Sequence, residues 1–235
     1  MPRFLSICLF MIAPLSLAAT PDTVVLLHGL ARSPLSLFRL EVSLRAAGYN
    51  VRNLDYPSRS SDIASLAETT LGPVFADALA QGPRIHVVTH SLGGILVRQY
   101  LHDHGVPAAL GRVVMLAPPN EGSEVVDRWR DWKIFQLLNG PAGLELGTGA
   151  TDGPRGLGAL PDGVEVGVIA GDRTLNPLFS WFLPGPNDGK VSVAATHVEG
   201  EADHLTLHAT HTWIMWRSDV EAQVKNFIRE GRFYP

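Results

Sequence analysis

Cysteine is nearly absent from the sequence, and its scarcity excludes several kinds of chemistry. The only cysteine among the 235 residues is Cys8, which lies in an apolar segment at the amino terminus. If that segment is removed, the mature chain has no thiol. We then expect no disulfide, no thiolate nucleophile and no cysteine metal site, so the mature protein must rely on its hydrophobic core for stability.

Charged residues are also scarce, at 18% of the chain, and no run of like charges or internal repeat occurs. The formal net charge of -4 provides no basic surface of the kind that binds nucleic acid. Hydrophobic residues make up 46% of the chain. This length and composition are typical of one sizeable globular domain.

Residues 1–19 form a segment of their own. Arg3 is the only charged residue before Asp22, residues 4–17 are almost wholly apolar, and small residues follow at 16–19. This pattern is typical of a secretory signal peptide. The apolar run is shorter than the roughly 20 residues that cross a bilayer, which favours cleavage over an uncleaved anchor. We therefore predict export, to the periplasm or outside the cell, and a mature domain over 20–235.

Apolar runs that predict buried strands alternate with segments of helical spacing through most of the mature chain. The predicted strands are 23–28, 49–56, 84–90, 111–117, 164–170 and 202–207, and the predicted helices are 34–47, 63–78, 92–104 and 218–230. This alternation predicts an α/β fold, with a mostly parallel central sheet and helices on both faces. Functional groups are then expected on loops at the carboxyl ends of the strands.

Two irregular stretches interrupt the alternation. Residues 120–161 are rich in glycine and proline but carry clustered aromatic and aliphatic side chains at 129–138, and a second stretch, 172–189, has aromatic residues at 179–182. These side chains are candidates for an acyl pocket, with 120–161 as a lid or cap. The alternative is that the aromatic residues simply pack in the core.

Ser91 lies directly between the predicted strand 84–90 and the predicted helix 92–104, in the sequence Thr-His-Ser-Leu-Gly-Gly at 89–94. A sharp turn at such a junction strains the serine backbone and exposes its hydroxyl. Gly93 is small enough to let neighbouring chain segments approach closely. The sequence departs from the G-x-S-x-G pattern because Thr89 stands where the first glycine is usual.

These residues resemble the α/β-hydrolase superfamily and, within it, the lipase-like serine esterases. The resemblance spans nearly the whole mature chain. It rests on Leu-His-Gly-Leu at 27–30, the motif around Ser91, Leu-Ala-Pro-Pro-Asn-Glu-Gly-Ser at 116–123, Asn-Asp-Gly at 187–189 and His-Ala-Thr-His at 208–211. It implies an α/β-hydrolase fold with a catalytic triad in the chain order serine, acid, histidine.

The resemblance also implies the partners of Ser91. His211, just beyond the last predicted strand, is the expected general base, and His208 remains an alternative. Asp188 is the expected acid that orients the histidine. Asp172, which directly follows a predicted strand, is its rival.

Two backbone N–H groups are expected to hold the oxyanion that forms during acyl transfer. The resemblance indicates Leu92, directly after the nucleophile, and Leu30, on the loop after the first strand. No cofactor is expected. A catalytic metal is not expected either, because the chain lacks a suitable set of ligands.

The sequence thus predicts an exported carboxylic-ester hydrolase that forms an acyl-enzyme on Ser91. Its expected partner is a small-molecule or lipid ester, with transient contact to a membrane surface and no nucleic acid. Two alternatives remain open, namely acyl transfer to an acceptor other than water and a non-catalytic binding protein on the same fold. Neither the acyl chain length nor the oligomeric state follows from the sequence.

Overall fold

The structure, a computed structural model, describes residues 20–76, 78, 82–174 and 182–234. The predicted signal peptide at 1–19 lies outside the described residues, as do residues 179–181 of the second aromatic stretch. Within the described part of the chain, no helix has the length and apolar character needed to span a membrane.

A six-stranded parallel sheet forms the centre of the molecule. Its strands are β1 (Thr23–Leu27), β2 (Asn50–Leu54), β3 (Ile85–His90), β4 (Leu110–Leu116), β5 (Glu165–Gly171) and β6 (Asp203–Leu207), in the spatial order β2-β1-β3-β4-β5-β6. Every neighbouring pair is parallel. Central strands of such a sheet are buried on both faces, which explains the continuous apolar sequence of β1. The predicted parallel α/β fold is confirmed.

Helices cover both faces of the sheet. The first face packs against α2 (Ile63–Ala76) and α3 (Leu92–His104), and the second against α1 (Phe38–Ala46) and α8 (Ser218–Glu230). Successive side chains of β1 point to opposite faces, so Val25 contributes to the core on the first face and Val24 to the core on the second. Short 3₁₀ turns, Pro34–Leu37 and Ile214–Trp216, precede α1 and α8.

The segment 120–161 is largely helical rather than irregular. It contains α4 (Glu124–Trp129), α5 (Lys133–Leu144) and α6 (Gly153–Gly156), and α7 (Val193–Thr196) follows later, between β5 and β6. The glycines and prolines mark breaks: Gly140, inside α5, has φ 65° and ψ -176°. A Cβ at Gly140 would lie 2.1 Å from the carbonyl oxygen of Arg59, so only glycine permits this backbone approach.

Hydrogen bonds that are buried or partly buried connect this segment to the body of the fold. The guanidinium of Arg98, on α3, donates to the carbonyl oxygens of Asn120 at 2.8 Å and Gly158 at 2.6 Å. The Glu145 carboxylate accepts a hydrogen bond from the N–H of Ile63 at 2.9 Å. Both ends and one central point of the segment are therefore bonded to the body of the fold.

Candidate active site

Ser91 occupies the turn between β3 and α3 at the carboxyl edge of the sheet. Its backbone has φ 53° and ψ -120°, a conformation that is strained for a residue with a side chain. The N–H of Ser91 donates to the carbonyl oxygen of Leu116 at 2.9 Å, and its own carbonyl accepts from the N–H of Gly94 at 2.9 Å. These two bonds hold the strained turn in place.

Gly93 and Gly94 explain how this turn packs. A Cβ at Gly93 would lie 2.8 Å from the carbonyl oxygen of Leu27, so glycine is required for α3 to approach the end of β1. A Cβ at Gly94 would lie 3.3 Å from Oγ1 of Thr89. The absence of a side chain at Gly94 therefore leaves room for the threonine that replaces the usual first glycine.

The structure brings His211 and Asp188 together with Ser91. The Nε2 atom of His211 lies 3.1 Å from Ser91 Oγ, and its Nδ1 atom lies 2.7 Å from Asp188 Oδ2. All three residues are buried. Because the carboxylate can only accept, His211 donates from Nδ1 and its Nε2 is free to accept the serine proton.

Asp188 is fixed by the turn that carries it. Its Oδ1 atom accepts hydrogen bonds from the N–H groups of Lys190 at 2.9 Å and Val191 at 2.8 Å. Its carbonyl oxygen accepts from the N–H of His211 at 3.1 Å. Both carboxylate oxygens are therefore hydrogen-bonded, and the aspartate and histidine are aligned by backbone as well as side-chain bonds.

The two rival residues, Asp172 and His208, pair with each other. Asp172 Oδ1 lies 2.8 Å from Nδ1 of His208, and the two side chains are 35% and 70% exposed, respectively. In the described part of the chain, neither side chain hydrogen-bonds to Ser91 or His211. The two side chains therefore form a surface hydrogen bond apart from Ser91.

His90 supports His211 from behind. Its Nε2 donates to the carbonyl oxygen of His211 at 3.0 Å, and the two ring centroids are 4.9 Å apart. Burial lowers the pKa of His90 well below its usual value, and the nearby His211 lowers it further. The neutral His90 ring therefore holds the backbone of His211 and does not compete with the His211 ring for the proton of Ser91.

His28 supports the neighbouring loop in a similar way. Its ring stacks on Tyr56 with centroids 4.2 Å apart, and the Tyr56 hydroxyl donates to the carbonyl oxygen of His28 at 2.5 Å. Burial raises the pKa of Tyr56, so its hydroxyl stays protonated and can donate. The contacts give His28 a structural place at the end of β1.

Of the two residues predicted to hold the oxyanion, Leu92 directly follows Ser91 and Leu30 lies on the loop after β1. Leu92 begins α3, so its N–H belongs to the first helical turn, where amides have no acceptor within the helix. Leu30 lines the same cavity as Ser91. The loop of Leu30 is held by a hydrogen bond from the N–H of Ala31 to Ser58 Oγ at 3.0 Å. Oxyanion binding by these two residues stays a prediction.

A cavity of about 190 Å³ opens beside Ser91 and His211. The segment 120–161 provides its apolar wall, through Val125, Val126, Phe135 and Leu146. Two cationic side chains, Arg32 and Lys190, also line it, and none of the described lining residues is a carboxylate. Neither the cavity nor its cations could be recognised from the sequence, because Arg32 and Lys190 belong to separate loops.

One group of side chains could hold a metal ion, and none of its members lines this cavity. His197, Glu201 and His204 have ligand atoms within 4.8 Å of one another. The imidazoles stack with centroids 3.7 Å apart, and His204 Nε2 lies 2.9 Å from Thr196 Oγ1. These contacts already engage the rings, which would have to turn to bring their nitrogens within about 2.1 Å of a shared ion.

A parallel sheet with a nucleophile turn, followed by an acid loop and a histidine beyond the last strand, is the arrangement of the α/β-hydrolases. The model of the alpha/beta hydrolase family matches residues 24–230, and the chain belongs to that family. The resemblance seen in the sequence is thus confirmed. Among proteins of curated function, none matches the chain in sequence.

Solved structures of lipases and esterases share the fold. The mature lipase BlEst2 of Bacillus licheniformis is 20% identical with a TM-score of 0.68, over 91% of this chain and 93% of that one. The metagenomic carboxyl esterase MGS0156 is 20% identical with a TM-score of 0.65, over 86% of this chain and 68% of the esterase. Phospholipase PlaB of Legionella pneumophila is 22% identical with a TM-score of 0.59, over 75% of this chain and 45% of the phospholipase. The chain also spans only 47% of the propeptide form of BlEst2.

Proposed function

We propose that the protein hydrolyses carboxylic esters through an acyl-enzyme formed on Ser91. The observation that carries this proposal is the buried hydrogen-bonded series from Ser91 Oγ through His211 to Asp188, with distances of 3.1 and 2.7 Å. A serine hydroxyl becomes a useful nucleophile only when a base can take its proton. This series supplies that base and the acid that orients it.

The proposed reaction has two stages, acylation of Ser91 and hydrolysis of the acyl-enzyme. Ser91 Oγ attacks the ester carbonyl while His211 Nε2 takes the hydroxyl proton, and Asp188 stabilises the imidazolium that forms. The N–H groups of Leu30 and Leu92 stabilise the oxyanion. The alcohol leaves with the proton from His211. Water then loses a proton to His211, attacks the acyl-enzyme and releases the acid and the free serine.

The apolar wall of the cavity favours an acyl group as the part of the substrate that enters it. Val126, Phe135 and Leu146 line this wall, and buried apolar surface contributes about 25 cal/mol per Å² to binding. Lipid acyl esters are therefore the substrates that we propose. The structural neighbours named above include a lipase, a carboxyl esterase and a phospholipase, and these activities are consistent with this choice. Export, directed by residues 1–19, is part of the same proposal.

The outer side of α5 supports transient contact with a lipid surface. Phe135 lines the cavity, whereas Ile134, Leu137 and Leu138 are 65%, 80% and 55% exposed. An apolar patch next to a substrate cavity is a common mark of an interaction surface. We propose that the patch Ile134–Leu137–Leu138 rests on the lipid that holds the substrate.

The contacts of the segment 120–161 bear on how much of it can act as a lid. Opening the whole segment would break the two hydrogen bonds of Arg98 and the bond between Glu145 and Ile63. We therefore propose that lid movement is confined to 129–139. The fluorescence of Trp132 should then change when micelles are added, and this change should be missing in a Trp132→Phe variant.

Active-site labelling tests the proposed chemistry. A fluorophosphonate should label the purified protein at Ser91 and should not label a Ser91→Ala variant. Ser123 also lines the cavity, so a Ser123→Ala variant that still reacts is the matched control. Labelling should abolish hydrolysis of 4-nitrophenyl esters, which are also assayed with increasing acyl length. Absence of labelling at Ser91 would refute the acyl-enzyme, and labelling with turnover only in the presence of an added alcohol would favour acyl transfer.

Vesicle binding tests the lipid surface separately. A Leu137→Ser, Leu138→Ser double variant should bind phospholipid vesicles more weakly in sedimentation assays, because it removes two exposed apolar side chains. Leu35 is 74% exposed on the 3₁₀ turn before α1, and Leu35→Ser serves as the control. Equal losses of binding in both proteins would contradict a specific role for the α5 patch.

A further inference from the structure

We infer that the cavity beside Ser91 binds esters that carry an anionic group, a carboxylate or a phosphate, held between Arg32 and Lys190. The inference deepens the proposed ester hydrolysis and rests on it for the catalytic step.

The cavity is cationic although the chain as a whole is acidic. The sequence has 23 acidic residues against 19 lysines and arginines. The described lining of the cavity nevertheless contains both Arg32 and Lys190 and no aspartate or glutamate. Clefts lined by one sign of charge concentrate ligands of the opposite sign.

Arg32 and Lys190 have no acidic partner in the part of the chain that the structure describes. Among the described residues, no carboxylate forms an ion pair with the side chain of Arg32 or Lys190. The charge of Asp188 raises the pKa of Lys190, but its two carboxylate oxygens are already bonded to His211 and to backbone amides. Two unpaired cations in one cavity leave a place for an anion that the protein itself does not fill.

The surroundings of Lys190 destabilise the charged form of its side chain. Lys190 lines the cavity and is exposed to solvent. Nearby protein groups partly desolvate its ammonium and lower its pKa, the charge of Arg32 lowers the pKa further, and Asp188 opposes both effects. A bound anion would relieve the repulsion between the two cations and would form charge-assisted hydrogen bonds with them.

Arg32 extends the cationic lining towards the surface. It follows Leu30 on the loop after β1 and also lines an adjoining groove together with Arg59 and Leu137. The described lining of that groove contains no carboxylate either. An anionic substrate therefore meets positive charge from the groove to the nucleophile, while its apolar portion can face Phe135.

The anionic group can belong to either half of the ester. A carboxylate on the acyl portion corresponds to the half-ester of a dicarboxylic acid, and a phosphate on the alcohol portion corresponds to an acylglycerol phosphate. Both present the same charged oxygens to a guanidinium and an ammonium. Matched pairs of substrates distinguish them.

The test compares each anionic ester with a neutral partner. The first pair is mono-4-nitrophenyl glutarate and its methyl ester, and the second is 1-butyrylglycerol 3-phosphate and 1-butyrylglycerol. The readout is the ratio of kcat/KM within each pair, which cancels losses common to both members. We expect the anionic member to be preferred by at least about tenfold in one pair, as a charged hydrogen bond implies.

Variants assign the preference to the two cations. Lys190→Met and Arg32→Gln should each lower the ratio by about tenfold to a hundredfold, and Lys190→Arg should retain most of it. Arg52 is exposed on β2 and lines neither the cavity nor the groove. Arg52→Gln removes the same charge elsewhere and should leave the ratio unchanged.

Binding to a Ser91→Ala variant separates this inference from the proposed catalysis. Calorimetry should show tighter binding of monomethyl glutarate than of dimethyl glutarate, and the difference should disappear in a Ser91→Ala, Lys190→Met double variant. Hydrolysis of both pairs with ratios near one, together with equal binding, would overturn the anionic site. Preferential anion binding without any hydrolysis would retain the site and refute the esterase.

Discussion

Replacing Asp188 with asparagine should abolish most catalysis by the proposed triad without changing the positions of its side chains. Oδ1 of Asp188 accepts from two backbone N–H groups, and Oδ2 faces Nδ1 of His211. If the new amide nitrogen faced the two N–H groups, both would lose their acceptor, at about 1–3 kcal/mol each. The amide nitrogen should therefore face His211, which must then accept at Nδ1 and carry its proton on Nε2. In that tautomer, His211 cannot take the proton of Ser91.

The expected loss in kcat is about 10⁴-fold, or about 5.5 kcal/mol of transition-state stabilisation, as in other triads with the wrong histidine tautomer. The assay is steady-state hydrolysis of a neutral 4-nitrophenyl ester, with circular dichroism to confirm folding. Asp172→Asn is the matched control and should change kcat by no more than about twofold, because that side chain forms only an exposed pair. A loss below tenfold in Asp188→Asn, or a larger loss in Asp172→Asn, would refute the assignment of the acid.

Three further predictions concern folding. Gly93→Ala should lower the free energy of unfolding by about 1–3 kcal/mol in urea titrations, because the added Cβ would press on a backbone carbonyl of β1 that cannot move aside; an unchanged midpoint would contradict the close contact. Arg98→Met should cost about 1–3 kcal/mol, since the buried carbonyl of Asn120 and the more exposed carbonyl of Gly158 lose their charged donor, and proteolysis within 120–161 should accelerate. Burial lowers the pKa of His86, with Asp22 opposing, so the neutral ring stabilises the fold fully above about pH 6.5 and the thermal midpoint should fall as the pH drops below that value. His86→Gln should flatten this dependence, and an equally steep profile in that variant would exclude His86 as its source.

The parallel sheet could be predicted from the sequence because its strands are buried on both faces. A strand such as β1 is almost wholly apolar, and a short apolar run bounded by turns is easily recognised. The strand–serine–helix junction at Ser91 could be predicted for the same reason, since it needs only local order. Helix α3 lies at the predicted bounds of 92–104.

The helices of the segment 120–161 could not be predicted, because their stabilising contacts are remote in sequence. The glycine inside α5 suggests an irregular loop, yet it serves a close backbone contact with Arg59. The segment is also fixed by Arg98, which lies on another helix. Local propensity is a weak guide where tertiary contacts of this kind decide the conformation.

Sequence spacing alone could not decide whether Asp188 or Asp172 is the acid of the proposed triad. Both aspartates follow β5, and both find a histidine partner at 2.7–2.8 Å. The difference lies in burial and in the backbone amides that Asp188 collects from its own turn. Only the folded arrangement reveals that one pair is buried against Ser91 and the other is exposed.

Lys190 contributes to the proposed triad through its backbone and to the proposed selection of substrate through its side chain. Its N–H donates to Asp188 Oδ1 at 2.9 Å, and its carbonyl accepts a hydrogen bond from Ser123 Oγ at 2.7 Å. Its side chain, in contrast, lines the cavity. A substitution there keeps the backbone bonds that hold the aspartate while it changes the charge that faces the substrate. The effect of Lys190→Met should therefore appear mainly in the ratio of kcat/KM between anionic and neutral esters.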